Sequence, residues 1–198
     1  APVDARWCLV HATHTTPDEI AGIAASGASV AICPTTEANL GDGLFALSEF
    51  LAARGVFSIG SDSHCSVDPR EELRLLEYGQ RLTRRARNIV ASAEQPSTGA
   101  RLWLGAAAGG AAALGAPIGS LEVGCGADFV TLDPEHPCLL GHGLSTALDA
   151  LVFSAGRYSP VCDVVVGGVR VVRGGRHVRR DAVRARYAET MRRIKGAS

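Results

Sequence analysis

VFSIGSDSHCS, residues 56–66, sets an apolar run, Val56 to Ile59, directly before Gly60, Asp62 and His64. So short an apolar run, closed by glycine, reads as a buried strand giving way to a loop. A helix start follows at Asp68-Pro69-Arg70-Glu71, which has the residues of a capping box with proline at the first helical position. Asp62 is then either a metal ligand at a strand tip or the polar cap of an ordinary turn.

The same unit occurs twice upstream. Arg6 to Val10 (RWCLV) is an apolar run ending at His11, and Thr16-Pro17-Asp18-Glu19 begins a helix whose Ile20, Ile23 and Ala24 share a face. Ser29 to Cys33 (SVAIC) is the second run, stopped by Pro34. The stretch TTEANLGDG, residues 35–43, reads as a loop leading to a helix with Leu44, Leu47, Phe50 and Leu51 at core spacing. Three strand–helix units thus follow one another with a repeat of roughly 25 residues, the pattern of parallel strands covered on their faces. Residues that carry chemistry sit at the carboxyl ends of such strands. His11, the 35–43 stretch, Asp62 and His64 all fall there.

After Pro96 the pattern changes. A helix is expected from about Ser97 to Leu114, then short β pieces in GSLEVGCGADFVTLD broken by Gly124 and Gly126. STALDALVFS, residues 145–154, reads as an amphipathic helix. VCDVVVGGVRVVRGGRHV reads as two strands around Gly167-Gly168 with a second turn at Gly174-Gly175, and an Arg-rich helix runs from about Asp181 to Ile194. The fold class is therefore α/β with a small β unit assembled from later strands.

Composition excludes several functions. The 198 residues carry 20 Lys and Arg against 20 Asp and Glu, so no net charge draws the chain to nucleic acid or to an anionic membrane. The cluster Arg81, Arg84, Arg85 and Arg87 reads as the solvated end of a helix. No apolar run reaches the length of a membrane span. Six scattered cysteines without a CxxC pair, and no secretory leader, read as free thiols in a reducing cytoplasm. The chain opens APVDARWCLVH, and its single methionine is Met191, so it reads as the later part of a longer protein.

His11 and Asp62 form the candidate catalytic pair. An imidazole and a carboxylate at alternate strand tips can converge on one site, bind a divalent metal and move a proton; equally, each can be a hydrogen-bonded fixture of its loop. His64 is either a substrate contact or a support for a ligand. Glu37 and Asn39 lie at the same end and are candidates for substrate binding, or simply turn residues. His14 reads as loop structure, and His136, His142 and His177 receive no role.

LVHATH (9–14), CPTTEANLGDG (33–43), GSDSH (60–64) and EELRLLEYGQRL (71–82) resemble the amidohydrolase superfamily, and within it the formimidoylglutamate deiminase branch. GSLEVGCGADFVTLD (119–133) is similar to the return of such enzymes to their small β-sandwich. The resemblance implies the C-terminal part of a (β/α)8 TIM-like barrel, about three βα units, plus part of a β-sandwich. Residues 1–118 would be the partial barrel, 119–142 a sandwich segment, 143–157 a barrel-associated helix, 158–180 the sandwich hairpin and 181–198 a C-terminal helix. It also implies one zinc. Asp62 would be its ligand and a proton acceptor at the end of strand eight, and His11, at the end of strand six, would orient water or polarise substrate.

The implied reaction is hydrolysis of N-formimino-L-glutamate, in histidine degradation, to N-formyl-L-glutamate and ammonia. The family's first-strand HxH pair and its fifth-strand His and Glu have no counterpart here, so this chain alone lacks most of the metal ligands. The implied partners are a small-molecule substrate, the missing N-terminal half of the barrel and, as an open arrangement, a second copy in a homodimer. Two rivals stay open: another deaminase of the superfamily, with a guanine- or adenosine-like substrate, and a non-catalytic fragment or subunit of a split enzyme.

Overall fold

The structure, a computed structural model, describes residues 2–156 and 158–196; residues 157, 197 and 198, which fall within the expected segments, lie outside them, as does Ala1. Three strands, β1 (Cys8–Val10), β2 (Ser29–Ile32) and β3 (Val56–Ile59), form a parallel sheet in the order β1-β2-β3. Leu9 pairs with Val30 and Val30 with Phe57, so the three strands end at one level.

Between β1 and β2 lies α1 (Pro17–Ser26). Its capping box is complete: the Thr16 side chain accepts the Glu19 N–H at 3.3 Å and Glu19 Oε2 accepts the Thr16 N–H at 2.7 Å. Gly27, at φ 77°, ends the helix in the left-handed conformation that glycine adopts without a Cβ penalty. Two helices join β2 to β3, α2 (Pro34–Leu40) and α3 (Leu47–Ala52). The first corrects the loop expected over 35–43. Threonine and asparagine are weak helix formers, but Pro34 starts the turn and Thr35 is held from outside by Glu72, whose Oε2 accepts the Thr35 N–H at 2.9 Å.

The second helix is shorter than expected. Phe45, rather than Leu44, is buried with Leu47 and Phe50, and the Phe45 and Phe50 rings meet edge to face at 5.3 Å. Leu44 is half exposed and lies over Gly79.

β3 leads into α4 (Pro69–Arg84). The Asp68 carboxylate caps it by accepting the Arg70 N–H at 2.9 Å and is clamped by the Arg70 guanidinium at 2.6 Å. Glu71 does not close the expected capping box; its carboxylate accepts the Ser66 hydroxyl instead. The arginines at the helix end divide: Arg81 pairs with Glu77 at 2.8 Å and covers the Tyr78 and Phe153 rings, while Arg84 pairs with Glu49.

α5 (Thr98–Leu114) packs across β3 and β2 and against the segment 147–153, and a glycine permits each approach. A Cβ on Gly109 would stand 1.7 Å from the Phe57 carbonyl oxygen, and one on Gly99 would stand 2.4 Å from the Leu148 carbonyl oxygen. α6 (Ala147–Phe153) closes over α4 and α5.

The second sheet is antiparallel. β4 (Phe129–Leu132), β5 (Val161–Val166), β6 (Val169–Arg173) and β7 (Arg176–His177) lie in the order β4-β5-β6-β7. Gly167 and Gly168, both at positive φ, make the two-residue hairpin turn between β5 and β6; Gly174 and Gly175 repeat it before β7. Of the β pieces expected in 119–133, only β4 forms a strand. α7 (Arg180–Gly196) buries none of its residues. No helix among the described residues is long and apolar enough to cross a membrane.

Neighbouring glycines in α5 give the packing a direct test. Gly109→Ala drives a methyl into the β3 backbone and is expected to cost about 2–3 kcal/mol, lowering Tm by roughly 5–10 °C. Gly110, with nothing within 4 Å of its Cβ position, behaves oppositely. Gly110→Ala is expected to add about 0.5–1 kcal/mol through helix propensity, read by the same thermal melts.

Candidate active site

The site is built where the parallel sheet stops. The His11 N–H donates to the Ala31 carbonyl at 2.8 Å and the Gly60 N–H to the Ile32 carbonyl at 3.0 Å, so the ladder runs one residue past β1 and β3. The chain then turns sharply. His11 (φ 66°), Ala12 (φ 52°) and Asp62 (φ 47°) are all left-handed, a conformation that L-residues adopt at a cost of roughly 1–2 kcal/mol each. The Thr15 hydroxyl donates to the Ala12 carbonyl at 2.9 Å and holds the first of these turns.

These turns bring His11 and Asp62 together. His11 Nε2 lies 3.8 Å from Asp62 Oδ2, with the Asp62 side chain 44% exposed. That separation is too long for a direct hydrogen bond. Among the described residues the Asp62 carboxylate accepts no backbone N–H, which a turn cap would require; the turn is closed instead by the His64 N–H on the Ser61 carbonyl at 3.0 Å. His64 itself is half-buried, its Nδ1 accepting the Ser66 N–H at 3.1 Å, so its ring proton sits on Nε2.

The first turn of α2 braces both tips. The Thr36 hydroxyl donates to the Ser61 carbonyl at 2.8 Å and accepts the His64 N–H at 3.1 Å, fixing the loop that carries Asp62. Glu37 is buried, its side chain only 3% exposed. Its Oε1 accepts the Cys33 N–H at 2.8 Å and lies 3.2 Å from His11 Nδ1. Thr35 anchors the brace through Glu72, whose carboxyl is pushed up by burial and pulled back in part by the Thr35 hydroxyl and N–H. Asn39 is exposed further along the same helix, and no hydrogen bond among the described residues joins it to His11, Glu37 or Asp62. His14 is exposed in the loop before α1.

Two donor sets among the described residues could be read as metal sites, and their hydrogen bonds separate them. Donor atoms of His11, Cys33 and Glu37 lie within 4.8 Å of one another. Burial, followed by the nearby carboxylates of Glu37, Asp62 and Glu72, pushes the Cys33 thiol up to about 11, so with no metal bound the thiol keeps its proton. Glu37 Oε1 is already committed to Cys33 and His11. The Asp62 carboxylate, exposed and without a hydrogen-bond donor, fits as one oxygen ligand of an ion set at the rim. It makes one corner of a tetrahedral site, not the whole of one.

A second imidazole–thiol contact, His136 Nδ1 to Cys138 Sγ at 3.1 Å, lines an open cleft with Pro137, His142 and Tyr158. Burial raises the Cys138 thiol despite the pull of Arg70, the opposite of the shift that activates a cysteine nucleophile. The sequence singled out His11, Asp62, Glu37 and His64. It missed Thr36 and Glu72, whose roles depend on contacts distant along the chain.

Cys33 supplies a pH test. Because its folded thiol lies near 11 against an ordinary 9.0, the folded state holds the proton more tightly. The stability this gives is fully present below about pH 9 and is lost as pH rises toward 11, by about 2–3 kcal/mol. Denaturant melts between pH 8 and pH 11 are expected to show that slope, and Cys33→Ala to flatten it.

The Amidohydrolase family model matches residues 1–171. A formimidoylglutamate deiminase of Pseudomonas aeruginosa is 53% identical over 175 residues, which are 88% of this chain and 38% of that protein. The crystal structure of an amidohydrolase from Brucella melitensis superposes with a TM-score of 0.86 at 48% identity, covering 96% of this chain and 41% of that one. An adenosine deaminase from Xanthomonas campestris with bound zinc superposes with a TM-score of 0.83 at 27% identity, covering 98% and 44%. The chain therefore spans well under half the length of these relatives. With a family match across most of its residues and a parallel sheet that gathers His11 and Asp62 at one rim, the chain belongs to the amidohydrolase family.

Proposed function

We propose that this chain supplies the His11–Asp62 rim of a zinc-dependent hydrolase that converts N-formimino-L-glutamate and water to N-formyl-L-glutamate and ammonia, in histidine degradation. The observation that carries this is the facing of His11 Nε2 and Asp62 Oδ2 across 3.8 Å at the carboxyl ends of parallel strands. The substrate rests on the 53% identity to the Pseudomonas deiminase.

The three-stranded sheet is read as one part of a (β/α)8 barrel. Its outer edges, along β1 and β3, carry no paired strand among the described residues, and the remaining strands would cover them. The expected segments 1–118, 119–142, 143–157, 158–180 and 181–198 are kept as barrel part, sandwich segment, associated helix, sandwich hairpin and terminal helix. The six cysteines are all free among the described residues, in keeping with a reducing cytoplasm.

Zinc, when bound, lowers the pKa of its water and polarises the carbon–nitrogen bond to be cleaved. In this chain Asp62 would hold the metal through its carboxylate and take the proton released by the attacking water. His11 would orient that water through Nε2. The attack would form the carbon–oxygen bond of the formyl group and the carbon–nitrogen bond to the imino nitrogen would break; both protons of the water reach that nitrogen, one by way of Asp62, and it leaves as ammonia. His64, beside the Asp62 turn, is placed near the substrate, and Asn39 on the exposed part of α2 is a weaker contact. With Asp62 as the one metal ligand proposed among the described residues, the isolated chain is not expected to hold zinc tightly or to turn over.

A second reading, a deaminase of a purine-like ring, is favoured by the superposition on the adenosine deaminase with bound zinc. Ammonia release separates the two. The enzyme containing this chain is expected to release ammonia from N-formimino-L-glutamate and not from adenosine or guanine; turnover of a purine alone assigns the second reading. In the same assay Asp62→Asn and His11→Asn are each expected to lower kcat by about 10²–10⁴-fold. Near wild-type turnover by Asp62→Asn would remove that carboxylate from the reaction.

A further inference from the structure

We propose that Glu37 is a positioning residue that dictates which nitrogen of His11 carries the ring proton. The inference deepens the proposed reaction, because it rests on His11 facing Asp62 through Nε2. A neutral imidazole has one N–H and one bare nitrogen, and the choice between them is set by what the other nitrogen touches.

His11 Nδ1 touches Glu37 Oε1 at 3.2 Å, and that oxygen is already an acceptor, taking the Cys33 N–H at 2.8 Å. A carboxylate oxygen accepts and does not donate. In the neutral ring the proton therefore belongs on Nδ1, and Nε2 turns a bare lone pair toward Asp62 Oδ2. Two acceptors that face each other across 3.8 Å make no bond of their own. They are arranged to share a donor, the O–H of water or an N–H of the substrate.

The placement of Glu37 leaves it little alternative. Its side chain is 3% exposed, which argues against the substrate contact its sequence position suggested. The turn that carries it is fixed at Thr35 by Glu72 and at Thr36 by the Ser61 carbonyl, so Glu37 cannot swing away with the helix. On the other side, His11 is pinned by its backbone bond to Ala31 and by a left-handed φ of 66°. Both partners are held from outside the pair, as a support that presets a ring requires.

The tautomer can be read without activity. In the uniformly ¹⁵N-labelled enzyme that contains this chain, two-bond ring correlations separate Nδ1–H from Nε2–H histidines, and His11→Asn assigns the signal. Wild-type His11 is expected as the Nδ1–H form at a pH where the ring is neutral. Glu37→Gln keeps a carbonyl oxygen beside Nδ1 and is expected to retain that form, whereas Glu37→Met removes the acceptor and is expected to invert the tautomer ratio. An Nε2–H ring in the wild type overturns the proposal whatever the variants do. So does an unchanged ring in a folded Glu37→Met. A purely structural role for Glu37 would lower Tm and leave the tautomer alone. Failure of the substrate reading would change the ammonia assay and not this spectrum.

Discussion

The register of three parallel strands is the constraint on which the rest depends. Leu9, Val30 and Phe57 stand level, and the ladder continues through the His11 and Gly60 N–H groups before the chain turns away. Because successive side chains alternate faces, a slip of one residue in any strand would carry its tip to the wrong side. The rim therefore inherits its geometry from the core beneath it. Val30 and Ile32 are fully buried in β2, Phe57 is nearly so, and α5 lies close enough on β3 that only glycine fits at 109.

Above that sheet the backbone accepts strain that the core does not need. Three left-handed residues at His11, Ala12 and Asp62 cost a few kcal/mol together, and such strain persists only where the surroundings over-determine it. Here the surroundings are the first turn of α2. Thr35, Thr36 and Glu37 are consecutive, and each reaches a different element: α4 through Glu72, the β3 loop through the Ser61 carbonyl, and the β1 tip through His11. One short helix thus braces both catalytic candidates, and the burial of Glu37 keeps water from competing for its bond to the ring.

Much of this was legible in the sequence, for local reasons. The β1–α1 unit announced itself through Thr16, Pro17 and Glu19, whose capping box needs only neighbours in the chain, and the hairpin turns at Gly167-Gly168 and Gly174-Gly175 did the same. His11 and Asp62 were placed at one rim because parallel strands put their carboxyl ends together. What stayed hidden was long-range. Thr35 and Thr36 read as loop residues because their helix is secured by Glu72 and Ser61, many residues away. Glu37 read as a substrate contact or a turn residue because pattern alone does not reveal a buried carboxylate with two partners. The exchange of Leu44 for Phe45 in the core is local: α3 begins only at Leu47, so the residues before it leave the helical register, while Leu47 and Phe50 are buried as their spacing suggested.

The shared rim of His11 and Asp62 can be located directly by zinc-edge anomalous diffraction from crystals of the metal-loaded enzyme that contains this chain. The zinc peak is expected about 2.0–2.2 Å from an Asp62 carboxylate oxygen, with His11 Nε2 turned toward it and Cys33 outside its coordination sphere. A peak about 2.3 Å from the Cys33 sulfur, or one with Asp62 and His11 directed to separate spaces, would contradict the account.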